Sequence, residues 1–153
     1  MIKVMFVCHG NICRSTMAEF VFKDLVKKYK RTNQFIIASA GTSAEELGNP
    51  VHHGTRKKLA EVGLNTDGKY AVQLKKQDYD NYDYFIGMDG RNIANMQRLF
   101  KGDPDGKVKL LLGYTGSSRD IADPWYTGDF DQTYVDVLAG CVALLEYILG
   151  EEL

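Results

Sequence analysis

Residues 2–7, Ile-Lys-Val-Met-Phe-Val, are a short apolar run rich in β-formers, and from Thr16 onward the apolar spacing becomes that of a helix. Between them lies Cys8-His9-Gly10-Asn11-Ile12-Cys13-Arg14-Ser15. A strand that hands over to a helix through a glycine-bearing loop constrains the chain more than any other feature. Such a loop can turn its backbone N–H groups inward, and the helix start adds partial positive charge. A dianion such as phosphate fits that cradle, and His9, Gly10, Asn11, Ile12, Cys13, Arg14 and Ser15 are the residues expected to bind it.

The rest of the chain repeats the alternation. The first helix is expected near Ser15, with Thr16 and Glu19 at capping-box spacing and Lys27, Lys28, Lys30 and Arg31 forming a solvated basic end. Residues 34–40, 82–88 and 107–112 read as strands. Residues 55–62 read as a short helix that Gly63 ends, and Ile93, Met96, Leu99 and Phe100 mark another. Asp129 or Asp131 is expected to cap a last helix with Tyr134, Val137, Leu138, Cys141, Leu144, Leu145 and Ile148 on its buried side. Residues 66–80 are ambiguous, and Ala71–Leu74 fits either element.

Alternating strands and helices imply an α/β fold: a doubly wound, four-stranded parallel sheet, flavodoxin-like, in one domain over residues 1–153. In such sheets ligands bind beyond the carboxyl ends of the strands, which is where the Cys8 loop lies. The net charge of −1 implies no bulk attraction to nucleic acid or to an anionic membrane, so an anion site must be local. No membrane segment or leader is expected. Three cysteines make no disulfide framework, which suits the reducing cytoplasm. His52 and His53 lack ligand spacing and are expected at the surface, and neither a metal site nor a cofactor is expected.

Cleavage of a phosphate ester needs a nucleophile in line with phosphorus, fixed donors for the equatorial oxygens, and a proton for the leaving oxygen. Cysteine attacks as a thiolate, which a helix N-terminus and a nearby cation favour; both are available to Cys8. Arg14 offers a planar fork for two phosphate oxygens. Gly10 lets the backbone approach the anion, Asn11 tolerates a left-handed conformation, and Ser15 can donate to the Cys8 sulfur.

The segment Cys8–Ser15 resembles the signature of the low-molecular-weight protein tyrosine phosphatases. The likeness continues in Ser39-Ala40-Gly41-Thr42, in Met88-Asp89 with Asn92, and in Asp123-Pro124-Trp125-Tyr126, in the family's order. It implies hydrolysis of phosphotyrosine through a cysteinyl-phosphate, with Cys8 as nucleophile, Arg14 as phosphate clamp and Asp123 as general acid and then base. It implies Asn11, Ser15 and Ser39 as a network supporting the loop, and His9, Glu45, Trp125 and Tyr126 as pocket walls. Cys13 would pair with Cys8 under oxidation. The partners implied are phosphotyrosine-containing proteins and inorganic phosphate or oxyanion inhibitors. The chain departs from many eukaryotic relatives at Val62, where they carry a histidine before the glycine that ends the second helix, so the network must be shorter or closed by other groups. Thr16 replaces a common proline, and Glu45 or Glu46 stands where several relatives place a tryptophan.

Three other readings are available. An arsenate reductase needs further relay cysteines, and none lies between Cys13 and Cys141. A phosphate-carrying or phosphopeptide-binding module needs neither Arg14 nor a distant acid. Phosphoarginine phosphatases of the same family carry threonine at the position of Ile12, and isoleucine suits an aryl group better than a guanidinium.

Overall fold

The computed structural model describes residues 1–153. Its elements run β1 (Ile2–Cys8), α1 (Arg14–Lys28), β2 (Phe35–Gly41), α2 (His53–Glu61), β3 (Tyr84–Gly87), α3 (Gly90–Leu99), β4 (Val108–Leu110), α4 (Pro124–Thr127) and α5 (Phe130–Leu149). The four strands form one parallel sheet in the order β2-β1-β3-β4. Strand order reverses direction at β1, so its carboxyl end, at Cys8, sits at the switch point of the sheet.

Alternation along β1 divides the core. Val4, Phe6 and Cys8 face one layer with Met17, Phe22, Val137, Leu144 and Leu145 from α1 and α5. Met5 and Val7 face the other, with Phe85, Met96 and Phe100 beside α3. Phe6, Phe22 and Phe85 are completely buried, and each contributes on the order of 2–3 kcal/mol by leaving water. A parallel sheet covered on both faces reads as a continuous apolar run, as residues 4–7 do.

The α/β class, the four strands and the long final helix match the sequence expectations, and Asp129 rather than Asp131 caps α5 by accepting from the Gln132 N–H. Several local expectations are corrected. Thr16 and Glu19 form no capping box: α1 begins at Arg14 after Cys13, the Thr16 hydroxyl donates to the Cys13 carbonyl, and Glu19 accepts from Ser39. The fourth strand stops at Leu110 because Leu111 and Leu112 turn into the core in a 3-10 segment. Ala71–Leu74 is neither helix nor strand, joining the sheet edge through a single bridge from Gln73 to Gly41. The second helix starts earlier than expected, at His53, because His52 caps it. By length and composition α5 is apolar enough to span a bilayer, contrary to the expectation, yet its Val137, Cys141, Leu144 and Leu145 are completely buried in the core.

Candidate active site

The loop after β1 is shaped by where its carbonyls go. The Cys8 carbonyl accepts from the Thr42 N–H at 2.9 Å, and the His9 carbonyl from the Ser43 N–H at 3.0 Å. The Ile12 carbonyl accepts from the His52 N–H at 2.9 Å, and the Cys13 carbonyl from the Met17 N–H at 3.0 Å. With the carbonyls drawn outward, the N–H groups of His9 to Cys13 find no acceptor in the protein and form a nest for an anion. Asn11 supplies the required left-handed turn, with φ of 60°. Gly41 lets β2 pass close beneath: a Cβ there would lie 2.7 Å from the His9 carbonyl oxygen.

Cys8 is buried, with Sγ 3.0 Å from Ser15 Oγ. Asn11 Nδ2 donates to Ser15 Oγ at 2.8 Å and to Ser39 Oγ at 2.9 Å, while its Oδ1 accepts from the Val72 N–H at 3.1 Å. Because the Ser15 oxygen already accepts from Asn11, its proton is free for the Cys8 sulfur. The Ser39 hydroxyl in turn donates to Glu19 Oε1 at 2.5 Å. Glu19 is buried between Lys23, at 2.5 Å, and Lys69, at 3.5 Å, and Lys69 Nζ also donates to the Ser39 carbonyl at 3.0 Å. Burial pushes the Lys69 ammonium below its ordinary pKa and the Glu19 charge pulls it back. Glu19 and Lys69 therefore close the network behind Asn11 and Ser39, and sequence reasoning missed both. A glutamate among the apolar positions of α1 was the available signal for one; Lys69 lies in an aperiodic stretch that offered none.

Arg14 is 3 % exposed. Its Nη1 donates to Asp89 Oδ2 at 2.7 Å and to the Ile121 carbonyl at 2.9 Å, which fixes the plane of the guanidinium. Its Nη2 makes only a long contact of 3.5 Å to Asp123 Oδ2, leaving that edge for a ligand. Burial works against the charge, but Cys8, Asp89 and Asp123 more than offset it and raise the Arg14 pKa. Asp89 was not among the expected site residues. It caps α3, accepting from the Asn92 N–H with one oxygen and from Arg14 with the other.

Asp123 stands at the N-cap of the four-residue α4, with Oδ1 accepting from the Trp125 N–H at 3.0 Å. Pro124 at the first helical position stiffens this turn. Trp125 and Tyr126 are 55 % and 84 % exposed at the rim, where an incoming ring can meet them. Across the mouth, His9 and Glu45 form an exposed pair at 3.2 Å, a contact worth little in water. Cys8, His9, Gly10, Ile12, Cys13, Arg14, Glu45, Asp123, Trp125 and Tyr126 all line one cavity, joined by Glu46. The expected supporting residues Asn11, Ser15 and Ser39 lie buried behind it. The Cys13 thiol is pushed up to about 12 by burial first and then by Cys8, so it stays protonated.

His52 is not the surface residue expected from its sequence context. Its Nδ1 accepts from the Gly54 N–H at 3.1 Å, and its ring meets both Trp125 and Phe130. No group of three or more His, Cys, Asp or Glu side chains is arranged to hold a metal ion.

The model of the family described as low molecular weight phosphotyrosine protein phosphatase matches residues 3–152. A Bacillus subtilis low molecular weight protein-tyrosine-phosphatase, YfkJ, is 40% identical over 154 residues, covering 99% of both chains. Its crystal structure superposes with a TM-score of 0.94 over 98% of this chain and 96% of that one. Staphylococcus aureus PtpA, of the same description, is 34% identical over 151 residues, covering 99% of this chain and 96% of its own. A Drosophila arginine phosphatase is 30% identical, with a TM-score of 0.88 over 96% of this chain and 98% of its own.

Proposed function

This chain belongs to the low molecular weight phosphotyrosine protein phosphatase family, and from that premise we propose that it hydrolyses phosphotyrosine and small aryl phosphates through a cysteinyl-phosphate on Cys8. The observation that carries this reading is the convergence on one cavity of a buried thiol, a nest of unpartnered N–H groups, the free edge of Arg14 and the carboxyl of Asp123. The phosphate oxygens take the places offered by the N–H groups and by Arg14, leaving phosphorus in line with Cys8 Sγ. The S–P bond forms as the P–O bond to the phenol breaks, and Asp123 gives its proton to the departing oxygen. Asp123 then takes a proton from water as that water attacks phosphorus. The S–P bond breaks, inorganic phosphate leaves, and Ser15 steadies the returning thiolate through the 3.0 Å contact.

Ile12, Trp125 and Tyr126 give the mouth apolar surface for a phenyl ring, which supports an aryl phosphate over phosphoarginine. Cys13, a buried free thiol in the same loop, is the proposed redox partner of Cys8. Free thiols at Cys8, Cys13 and Cys141 suit a cytoplasmic setting, and we take residues 1–153 as one domain with neither metal nor cofactor in its chemistry. The test is hydrolysis of phosphotyrosine, phosphoserine and phosphoarginine by the wild type and by Cys8→Ser, with and without an oxyanion that mimics phosphate. Activity on the aryl ester, lost in Cys8→Ser and blocked by the oxyanion, is expected; equal rates for the two proteins would refute the nucleophile assignment.

A further inference from the structure

Asp123 can act only if its turn is held over the phosphate site, yet that turn has few ties to the rest of the molecule. Its hydrogen bonds are local: Trp125 N–H to Asp123, Gly128 N–H to the Pro124 carbonyl, and Asp129 N–H to Thr127. Just before it, Ile121 is anchored, its N–H donating to the Met88 carbonyl and its carbonyl accepting from Arg14, both at 2.9 Å. From Ala122 onward the polar contacts outward, Arg14 to Asp123 and Thr133 to the Ala122 carbonyl, are both 3.5 Å long. Aromatic contact adds to that hold. Trp125 meets the His52 ring edge-on, with centroids 5.4 Å apart and planes at 69°. Phe130, at the far end of the same segment, stacks on His52 at 5.4 Å and 13°. Gly54 makes this stacking possible, since a Cβ there would come within 2.3 Å of the Phe130 ring. The imidazole is itself fixed by the Gly54 N–H, and the backbone N–H of His52 holds the Ile12 carbonyl of the phosphate loop. One residue thus touches the loop that binds phosphate and both ends of the segment that follows the acid.

We propose that His52 is a positioning residue for Asp123, acting through Trp125 and Phe130 to keep the acid turn in register with the phosphate loop. The inference rests on the reading of Asp123 as the general acid. Imidazole suits the place because it caps α2 with Nδ1 and offers a flat face and an edge to two rings at once. A displaced acid matters only when the leaving oxygen needs a proton, so the loss should depend on the leaving group. The ratio kcat/KM isolates the steps up to the cysteinyl-phosphate.

The experiment compares kcat/KM for phenyl phosphate, whose phenolate is a poor leaving group, with that for p-nitrophenyl phosphate, whose phenolate leaves unaided. His52→Asn keeps the cap and removes the ring; His52→Phe keeps a ring and removes the cap. We expect His52→Asn to lose about tenfold on phenyl phosphate and less than about twofold on p-nitrophenyl phosphate, a fraction of what a full general acid supplies. His52→Phe should recover most of the phenyl phosphate rate. Trp125 is the only tryptophan in the chain, so its emission should shift in His52→Asn, reporting the turn directly. Equal losses on both substrates, no loss on either, or a His52→Phe protein no better than His52→Asn would overturn the proposal. Asp123→Asn serves as the reference: if it too lacks leaving-group dependence, the acid assignment falls and the positioning role falls with it. If it has that dependence and the His52 variants do not, only the positioning role falls.

Discussion

The wall of the cavity that carries Cys8 is tied together by hydrogen bonds among buried groups, whereas the wall that carries Asp123 is a half-exposed turn leaning on aromatic rings. On the first wall, Ser15, Asn11, Ser39 and Glu19 are each at most 4 % exposed, and each donor has one direction to point. On the second, Trp125 and Tyr126 face water, and Trp125 leans edge-on against the His52 ring, on which Phe130 stacks. The difference follows the chemistry. A thiolate must be stabilised in place, and an unmade hydrogen bond in a dry site is costly. An acid that serves two steps, the role proposed for Asp123, must meet first a phenol and then water, which a place at the mouth allows.

Substitutions on the two walls should therefore fail in different ways. Arg14→Lys should lose about 10³-fold in kcat/KM on every aryl phosphate, because a point charge cannot replace the fork held by Asp89 and Ile121. Steady-state kinetics with two leaving groups checks it, and a loss confined to poor leaving groups would blur the two walls. Asp123→Asn should lose about 10²–10³-fold on phenyl phosphate and much less on p-nitrophenyl phosphate. Ser39→Ala should lose about tenfold on both substrates alike and destabilise the fold by about 1–3 kcal/mol, since Glu19 and Asn11 both lose a buried partner. Denaturant unfolding and the same substrate pair measure that, and an undiminished rate would separate the network from the sulfur.

The smallest effect concerns pH. Burial, then His53, hold the His52 pKa below the ordinary 6.5. The unfolded chain then takes up that proton first, so this contribution to stability is present above pH 6.5 and is lost as pH falls through the folded value. Glu46 and Asp123 oppose the shift, and Arg56 adds to it. The melting temperature should fall as pH drops below 6.5 more steeply in the wild type than in His52→Asn; parallel curves would remove His52 from the balance.

The two walls also differ in how much of them was legible beforehand. The phosphate loop is contiguous, so its strand, glycine, arginine and helix start could be read in one stretch from Ile2 to Ser15. Asn11 with positive φ and Ser15 on the sulfur followed from residue chemistry alone. The remote supports could not be read that way. Glu19 offered itself as a capping-box partner of Thr16, and only the crossing of α1 over β2 gives it to Ser39 instead. Lys69 arrives from residues 66–80, where no periodicity marks an element. His52 beside His53 looked like surface because the rings that cover it come from α4 and α5, far along the chain. Assignment of the walls themselves leaned on family resemblance, since an Asp-Pro turn is common and carries no signature of an acid by itself.

The central claim is that the phosphoryl group passes through Cys8. Acid quench of the enzyme during turnover of p-nitrophenyl phosphate, followed by peptide mass mapping, tests it directly. A phosphoryl group on Cys8 in the wild type, absent in an inactive Cys8→Ser, is the expected result. Turnover with no modification of Cys8, or a phosphoryl group trapped on any other side chain, would contradict it.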